Sequence, residues 1–157
     1  MMDTQFTLEA LRASAEELAR EVDRLPADSA LWRAAENEWS QHECLTHLLI
    51  CEHHIFLPRI RAMTTQDNPH LPVVDEAAVM KAEWNPERSR SDLLAEFMVY
   101  RHEEHEILEQ ADWARMGVHA VRGPITLGWM AHYTLAHTYE HLSQMMRVRL
   151  YHAVRKE

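Results

Sequence analysis

Glycine and cysteine are scarce in this 157-residue chain, which contains three glycines and two cysteines. β-Branched residues are also sparse beside Ala, Leu, Glu, Arg and Met, which form helices readily. The two cysteines, Cys44 and Cys51, would stand about 10 Å apart along a common helix, too far apart for a disulfide. The composition therefore predicts an all-α protein with reduced thiols, as expected in the cytoplasm.

Long apolar runs and excess positive charge are missing as well. No apolar stretch approaches the roughly 20 residues that span a bilayer, and Met1-Met2-Asp3 does not resemble the start of a signal peptide. Lys and Arg number 16 against 25 Asp and Glu, which gives a formal net charge of -9. Nucleic acid and anionic membranes bind basic surfaces, so we expect neither as a partner. A small-molecule substrate is the expected partner.

Histidine, by contrast, is abundant. The chain has 12 histidines, and hydrophobic residues make up 46% of it. The length suits a single domain over residues 1–157 with a substantial core. So many imidazoles favour metal or proton chemistry.

Four stretches show helical periodicity, and the first two have clear boundaries. In the first, apolar residues alternate at spacings of three and four until Pro26 ends the pattern. The second begins at Ser40, which is placed to form a capping box with Glu43, and Trp39 is placed as a hydrophobic staple against Cys44. The apolar residues of the first stretch are Leu8, Leu11, Ala15, Leu18, Val22 and Leu25.

The second helix is expected to continue to about Met63, with Pro58 kinking or ending its last turn. A connection of roughly 20 residues follows, which is long for a helical bundle, with a short helical piece predicted at Asp75–Lys81. Asn85-Pro86-Glu87 combines an N-cap, a first-turn proline and an acid, and predicts the start of the third helix. That helix extends to about Ala111.

The last helix follows a predicted loop marked by Gly117, Gly123 and Pro124. Thr126 is placed to cap this helix, which extends to about His152. No stretch shows the alternation of a strand. The sequence therefore predicts an up-and-down four-helix bundle with a long connection between helices two and three.

His137 and His141 stand one turn apart on the fourth predicted helix. Residues at i and i+4 lie about 40° apart around the axis and about 6 Å along it, so both imidazoles can bind one ion. They continue an apolar stripe that includes Met130 and Met145, and so they face the core. Two inward imidazoles need partners; a divalent metal would satisfy both, and hydrogen bonds within the core are the alternative.

His47 lies on an inward or boundary face of the second helix, between Leu45 and Leu48. Together with the pair on the last helix it would form a three-imidazole set, which leaves coordination positions open for water or substrate. Cys44 and Cys51 lie on the same side and could act as a nucleophile or an extra ligand, although helical cysteines are usually small buried apolar residues.

Short motifs near both ends of the chain carry a family resemblance. They are Trp39-Ser40, His47-Leu48, Asp112-Trp113 and His137-x-x-x-His141-Leu142-x-Gln144. In these motifs, and over nearly its whole length, the sequence resembles the DinB/YfiT family of metal-binding four-helix proteins. The resemblance implies that His47, His137 and His141 are the metal ligands and that the protein is a homodimer. It also implies an enzyme that uses a low-molecular-weight thiol as cosubstrate, or a metal-dependent hydrolase.

Three further residues are candidates for the site. Glu140 falls within an H-x-x-E-H pattern, but only 16 residues follow His141, too few to supply the downstream ligand of a peptidase. Glu140 is therefore a candidate base or partner of a ligand, with an exposed helical residue as the alternative. Tyr133 could line the site as a donor, and Arg101 could pair with an anionic substrate.

Two functions remain open at this point. One is a metal-dependent transferase or hydrolase, in which the ion lowers the pKa of a bound thiol or water. The other is a non-catalytic, metal-stabilised dimeric bundle with a stress-related or interaction role. The ligand set suits Zn, Ni or Fe, and three imidazoles do not discriminate among these metals.

Overall fold

The first helix has the boundaries that its sequence predicts. The computed structural model describes residues 3–155. Helix α1 spans Thr4–Arg24, and the carboxylate of Asp3 accepts a hydrogen bond from the amide of Phe6 at its start. The chain leaves the helix immediately before Pro26 and forms a short 3₁₀ turn at Ala27–Ser29.

The second long helix is continuous but changes its winding midway. Helix α2 spans Gln41–Cys51 and begins with the predicted capping box. A π-helical turn occupies Glu52–Phe56, and helix α3 then spans Leu57–Thr65. Pro58 is the second residue of α3, and proline cannot donate the hydrogen bond of a regular helix. The wide turn before it lets the chain remain helical past the proline.

The third long helix starts later than predicted. A short helix, α4, spans Glu76–Glu83 in the predicted position, and helix α5 spans Arg90–Gln110. The predicted start at Asn85-Pro86-Glu87 is wrong, because the Asn85 side chain accepts from the amide of Glu87 and closes a turn instead. Ser89 is the N-cap of α5, and its hydroxyl accepts from the amide of Asp92.

A small sheet replaces the predicted loop. Its strands are β1 at His70–Leu71, β2 at Met116–His119 and β3 at Gly123–Thr126. They lie in the order β1-β2-β3. Strand β1 is parallel to β2, and β2 is antiparallel to β3. A Cβ at Gly117 would lie 3.1 Å from Leu71 and 3.2 Å from Met63, so this glycine allows the sheet to pack on α3. The prediction of no strands is wrong because strands this short show no readable alternation.

The last helix, α6, spans Leu127–Arg155. As predicted, the hydroxyl of Thr126 caps it by accepting from the amide of Trp129 at 3.0 Å. None of the helices within residues 3–155 combines the length and apolarity needed to cross a membrane.

Helices α1 and α6 run parallel, which an up-and-down bundle does not predict. Near their first turns, Thr7 Oγ1 lies 2.9 Å from His132 Nε2. Near their last turns, Arg149 of α6 pairs with Glu21 of α1 at 2.7 Å.

Helix α5 runs antiparallel to α1 and parallel to the α2–α3 helix. Arg90, its first residue, donates to the carbonyl of Leu25 just after α1 and to the side chain of Gln41 at the start of α2. Farther along, Arg101 pairs with Glu52. The four long helices thus run up, down, down and up. The fold is a helical bundle, but the prediction of an up-and-down order is wrong.

The long connection between α3 and α5 is the reason for this order. Helix α3 ends at Thr65, whereas α5 begins beside the first turn of α2, at the opposite end of the bundle. Residues 66–89 return the chain along the bundle and include β1 and α4. A short connection would have forced α5 to run back beside α3.

Two apolar clusters form the core, with a polar layer between them along each long helix. One cluster lies around Leu11 and Phe56, and the other around Leu48 and Phe97. The layer between them consists of buried side chains that contact one another across the bundle. These are Ser14, Glu52, Arg101, Glu104 and Thr138.

Candidate metal centre

The three predicted ligands meet between α2 and α6. The Nε2 atoms of His47 and His137 lie 3.2 Å apart. The ring of His141 lies 4.6 Å, centroid to centroid, from each of the other two. One ligand atom from each residue lies within 4.8 Å of the others. Nitrogens bound to one tetrahedral zinc at about 2.0–2.1 Å would stand roughly 3.3 Å apart, so the spacing suits a shared ion.

The surroundings of the three imidazoles keep them in the neutral form that binds a metal. Burial lowers the pKa of His47 to about 4 and that of His137 to about 3, and it also lowers the pKa of His141. All three rings are therefore neutral near pH 7, the form that binds metals. His141 Nδ1 lies 3.0 Å from the side-chain oxygen Oε1 of Gln144, so Nδ1 carries the proton and Nε2 presents its lone pair.

Within residues 3–155, the buried Nδ1 of His137 has no hydrogen-bond partner. Two neutral Nε2 lone pairs that face each other across 3.2 Å also repel each other unless a proton or a cation lies between them. A divalent ion fits this donor set, because it would satisfy the facing lone pairs together.

Trp39 forms one wall of the centre. Its ring stacks on His141 with centroids 5.9 Å apart and packs against His47 at 4.9 Å. It also packs on the core cluster that contains Cys44, as the predicted staple requires. The Trp39-Ser40 motif thus starts α2 and restrains two of the ligand rings.

Glu76, which the sequence analysis did not select, lies at the open side of the centre. Its Oε2 stands 3.7 Å from His47 Nε2 and 4.0 Å from Cys51 Sγ, and half of its side chain is exposed. Cys51 Sγ lies 3.4 Å from His47 Nε2. The sequence predicted the short helical piece at Asp75–Lys81 that carries Glu76, but not that this helix lies over α2.

The two cysteines differ in their surroundings. Cys44 lies inside the core, where burial raises the pKa of its thiol to about 12, in agreement with the apolar interpretation. Cys51 is also buried and burial raises its pKa, but it borders the histidines and Glu76. Only Cys51 is placed to join the ligand set.

Three cavities reach the histidines. One, of about 310 Å³, reaches His141 beside Trp39 and Gln144, and the other two both border Glu76. The larger of these two, of about 580 Å³, reaches His47. The smaller, of about 170 Å³, reaches His137. The larger is lined by Arg33, Trp39, Glu43, His47, Glu76, Ala77, Met80, Lys81 and Trp84.

The remaining predicted site residues fall in different places. Tyr133 lines the smaller cavity, and its action on a ligand stays a prediction. Glu140 is exposed on α6 next to His141, and it lines none of the three cavities. Arg101 does not reach the site, since it is 3% exposed and paired with Glu52 and Glu104. The hypothesis that Arg101 binds a substrate is therefore wrong, because its guanidinium neutralises buried carboxylates.

These features define a helical bundle with a three-histidine centre. The sequence matches the DinB superfamily over residues 9–145. The chain belongs to that superfamily. No curated protein has a sequence that matches it significantly.

Solved structures share the fold. The structure of YfiT from Bacillus subtilis, described as a probable metal-dependent hydrolase with an unusual four-helix bundle topology, superposes with a TM-score of 0.81 at 16% identity. The match covers 92% of this chain and 85% of YfiT. The mycothiol-dependent maleylpyruvate isomerase superposes with a TM-score of 0.70 at 10% identity. That match covers 92% of this chain but 61% of the isomerase.

Proposed function

We propose that this protein is a divalent-metal-dependent enzyme of the thiol S-transferase or hydrolase type. The observation that carries the proposal is the convergence of three neutral imidazoles, each of which lines a cavity. A purely structural metal site is closed by a fourth protein ligand, whereas a catalytic site keeps a position for substrate. His47, His137 and His141 would hold the ion.

A divalent ion bound there would supply Lewis acidity, which favours the thiolate form of a thiol or the hydroxide form of water. Three neutral ligands leave the charge of the ion uncompensated. Glu76 would accept the proton that the thiol or water loses, since its Oε2 lies 3.7 Å from His47 Nε2 and the side chain is half exposed. Glu76 thus takes the role that the sequence analysis considered for Glu140.

The two cavities that border Glu76 could accommodate the two substrates of a transfer reaction. The larger has room for a thiol cosubstrate, and the smaller would hold the acceptor beside His137. The structural neighbours support the same two classes, since YfiT is described as a probable metal-dependent hydrolase and the isomerase depends on mycothiol.

The test begins with untagged protein and its metal content by elemental analysis. Mycothiol and other small thiols are then supplied with electrophilic acceptors, and loss of free thiol is followed; esters and amides test hydrolysis. We expect one ion per chain and turnover that a chelator abolishes. Turnover that persists without metal, or no turnover with any thiol, ester or amide, would contradict the proposal.

Variants assign the proton acceptor. Glu76→Gln should lower turnover at least tenfold while the metal content stays near one, because general bases contribute about 10²-fold or more. Glu140→Gln is the matched control and should change turnover less than twofold. Equal effects of the two variants would remove Glu76 from the mechanism.

A second candidate function is a metal-stabilised bundle without catalysis. It is favoured by the placement of the ligands, because an ion bound by His47 and His137 would link α2 to α6. In that case metal would raise the melting temperature and no substrate would turn over. A homodimer, which the family resemblance implies, is tested by light scattering on the same preparation.

A further inference from the structure

The smaller cavity beside the metal centre is rich in hydrogen-bond donors. Its polar lining comes from α3, β2, the turn that precedes β3, and α6, and its remaining lining is largely aliphatic or aromatic. Glu76 is its single carboxylate, at the side of the metal centre. The polar residues other than Glu76 are Arg59, His119, Arg122, Tyr133 and His137.

Arg59 and Arg122 line this cavity without forming an ion pair among residues 3–155. Seven of the fourteen arginines form ion pairs with glutamates, and these two belong to the other seven. Within the same residues, Arg59 makes none, although it is buried and gives one hydrogen bond to the carbonyl of Pro72 at 2.7 Å. Arg122 also makes none and lies over the rings of Trp129 and Tyr133 at 5.5 and 5.1 Å.

His119 contributes a directed donor. Its Nδ1 accepts from the backbone amides of Val121 and Arg122 at 3.1 and 3.3 Å, so a neutral ring carries its proton on Nε2. Burial, reinforced by the two arginines, lowers the pKa of His119 and favours this neutral form. Two guanidinium groups, an imidazole N–H and a phenol therefore surround one small volume.

We propose that this cavity is an anion subsite that binds the carboxylate of a small organic acid, with the reactive part of the acid directed toward His137. The proposal rests on the proposed function and adds the substrate class to it. Planar guanidinium groups pair with carboxylates through charge-assisted hydrogen bonds, and a site of donors needs a ligand of acceptors. At about 30 Å³ per water-sized group, 170 Å³ holds about six non-hydrogen atoms. These six atoms correspond to the four carbons and one pair of carboxylate oxygens of a short acid such as succinate, whose second carboxylate would extend toward His137.

The chain offers a controlled test in binding rather than turnover. Succinate, its neutral diamide and inorganic phosphate are titrated calorimetrically into metal-loaded and into chelator-treated protein. We expect succinate to bind both forms and the diamide to bind at least tenfold more weakly. Arg122→Gln is the primary variant because Arg122 is exposed and its loss should not disturb folding; Arg59→Gln is the second, checked by thermal denaturation.

Each arginine variant should weaken succinate binding about tenfold or more, since each removes a charge-assisted hydrogen bond. Arg61→Gln, two residues from Arg59 but paired with Glu103 on the surface, is the matched control and should bind as the wild type does. Equal binding by Arg122→Gln and wild type, or no binding by wild type, would overturn the subsite. Arginine-dependent binding of phosphate in preference to succinate would overturn the carboxylate assignment.

The same experiment separates this proposal from the proposed function. Arginine-dependent succinate binding in a protein that holds no metal and turns over no substrate would leave the subsite standing and remove the enzyme. Metal-dependent turnover without arginine-dependent succinate binding would support the enzyme and remove the subsite.

Discussion

Two polar clusters lie in the interior of this bundle, and they are satisfied in different ways. In the layer between the core clusters, Arg101 neutralises Glu52 and Glu104, and Ser14 and Thr138 add hydrogen bonds. The histidine cluster is electrically neutral, borders three cavities and contains a buried Nδ1 without a partner among residues 3–155. In the first cluster Glu52 Oε2, Arg101 Nε and both carboxyl oxygens of Glu104 also lack hydrogen-bond partners among residues 3–155, but the cluster contains its own cation. The second cluster has no cationic side chain among the same residues and has a place for an external ion.

Breaking the first cluster should have the largest effect on stability. Arg101→Met would leave the buried pair of Glu52 and Glu104 without its cation, and we expect a loss of about 3–5 kcal/mol in the free energy of unfolding. Urea denaturation measures it. Glu104→Gln is the control and should cost much less, because burial next to Glu52 raises the pKa of Glu104 and already favours its protonated form. A small loss in Arg101→Met would refute the structural role given to this layer.

Breaking the second cluster should change metal binding more than folding. His137→Ala removes one of three ligands and should weaken metal binding at least about hundredfold, more than the loss of a hydrogen bond to a ligand typically costs. Competition with a chromogenic chelator measures the affinity. The metal-free variant should unfold near the wild-type denaturant midpoint, since it loses a buried imidazole with an unsatisfied Nδ1. Unchanged metal affinity would exclude His137 as a ligand.

In the metal-free protein, the two clusters should make the free energy of unfolding change with pH in opposite directions. The folded-state pKa values of His47 and His137 lie below the unfolded value of about 6.5. The unfolded chain therefore binds more protons below pH 6.5, and stability should fall as the pH decreases toward 4. One such group accounts for about 2 kcal/mol between pH 6.5 and 5.

The contribution of Glu104 to stability changes with pH in the opposite direction. Its folded-state pKa is raised, so its contribution is present at low pH and declines as the pH rises above the unfolded value of about 4.5. Denaturation of wild type and Glu104→Gln across this range measures both slopes. If a His47→Ala, His137→Ala double variant lost as much stability at acid pH as the wild type does, the assignment of this loss to histidine would be contradicted.

The smallest expected effect concerns the orientation of one ligand. Gln144→Ala removes the acceptor that fixes the tautomer of His141, and we expect metal affinity to fall about tenfold. Gln110→Ala, at the exposed end of α5, is the control. A change smaller than twofold would show that Trp39 packing alone orients His141.

Local signals in the sequence predicted much of the fold. The Ser40 and Thr126 caps and the break before Pro26 depend on neighbouring residues, so they can be recognised without the tertiary structure. The direction of α5 could not be predicted in this way, because it depends on the path of residues 66–89 around the bundle. The sheet escaped detection because its strands have at most four residues.

The candidate site could likewise be predicted only in part from the sequence. His137 and His141 share one helix, so their spacing alone brings them together, whereas His47 was identified largely through family resemblance. Glu76, Arg59 and Arg122 come from separate elements and converge only in the folded chain. Arg101 was misassigned because the inward stripe of a helix does not distinguish a cavity from a buried carboxylate partner.

The π turn at Glu52–Phe56 determines how the side chains after it are oriented, around the helix axis, relative to those before it. Arg59 follows His47 by 12 residues, which in a regular α-helix would place the two side chains about 120° apart around the axis. A π turn absorbs about one extra residue, so the two positions are separated by about three whole turns and point in nearly the same direction. If the same residues were wound as a regular α-helix, Arg59 would point about 120° away from the face that carries His47, although neither residue would have changed. The metal centre and the arginine cavity therefore share one wall because the helix between them is wound irregularly.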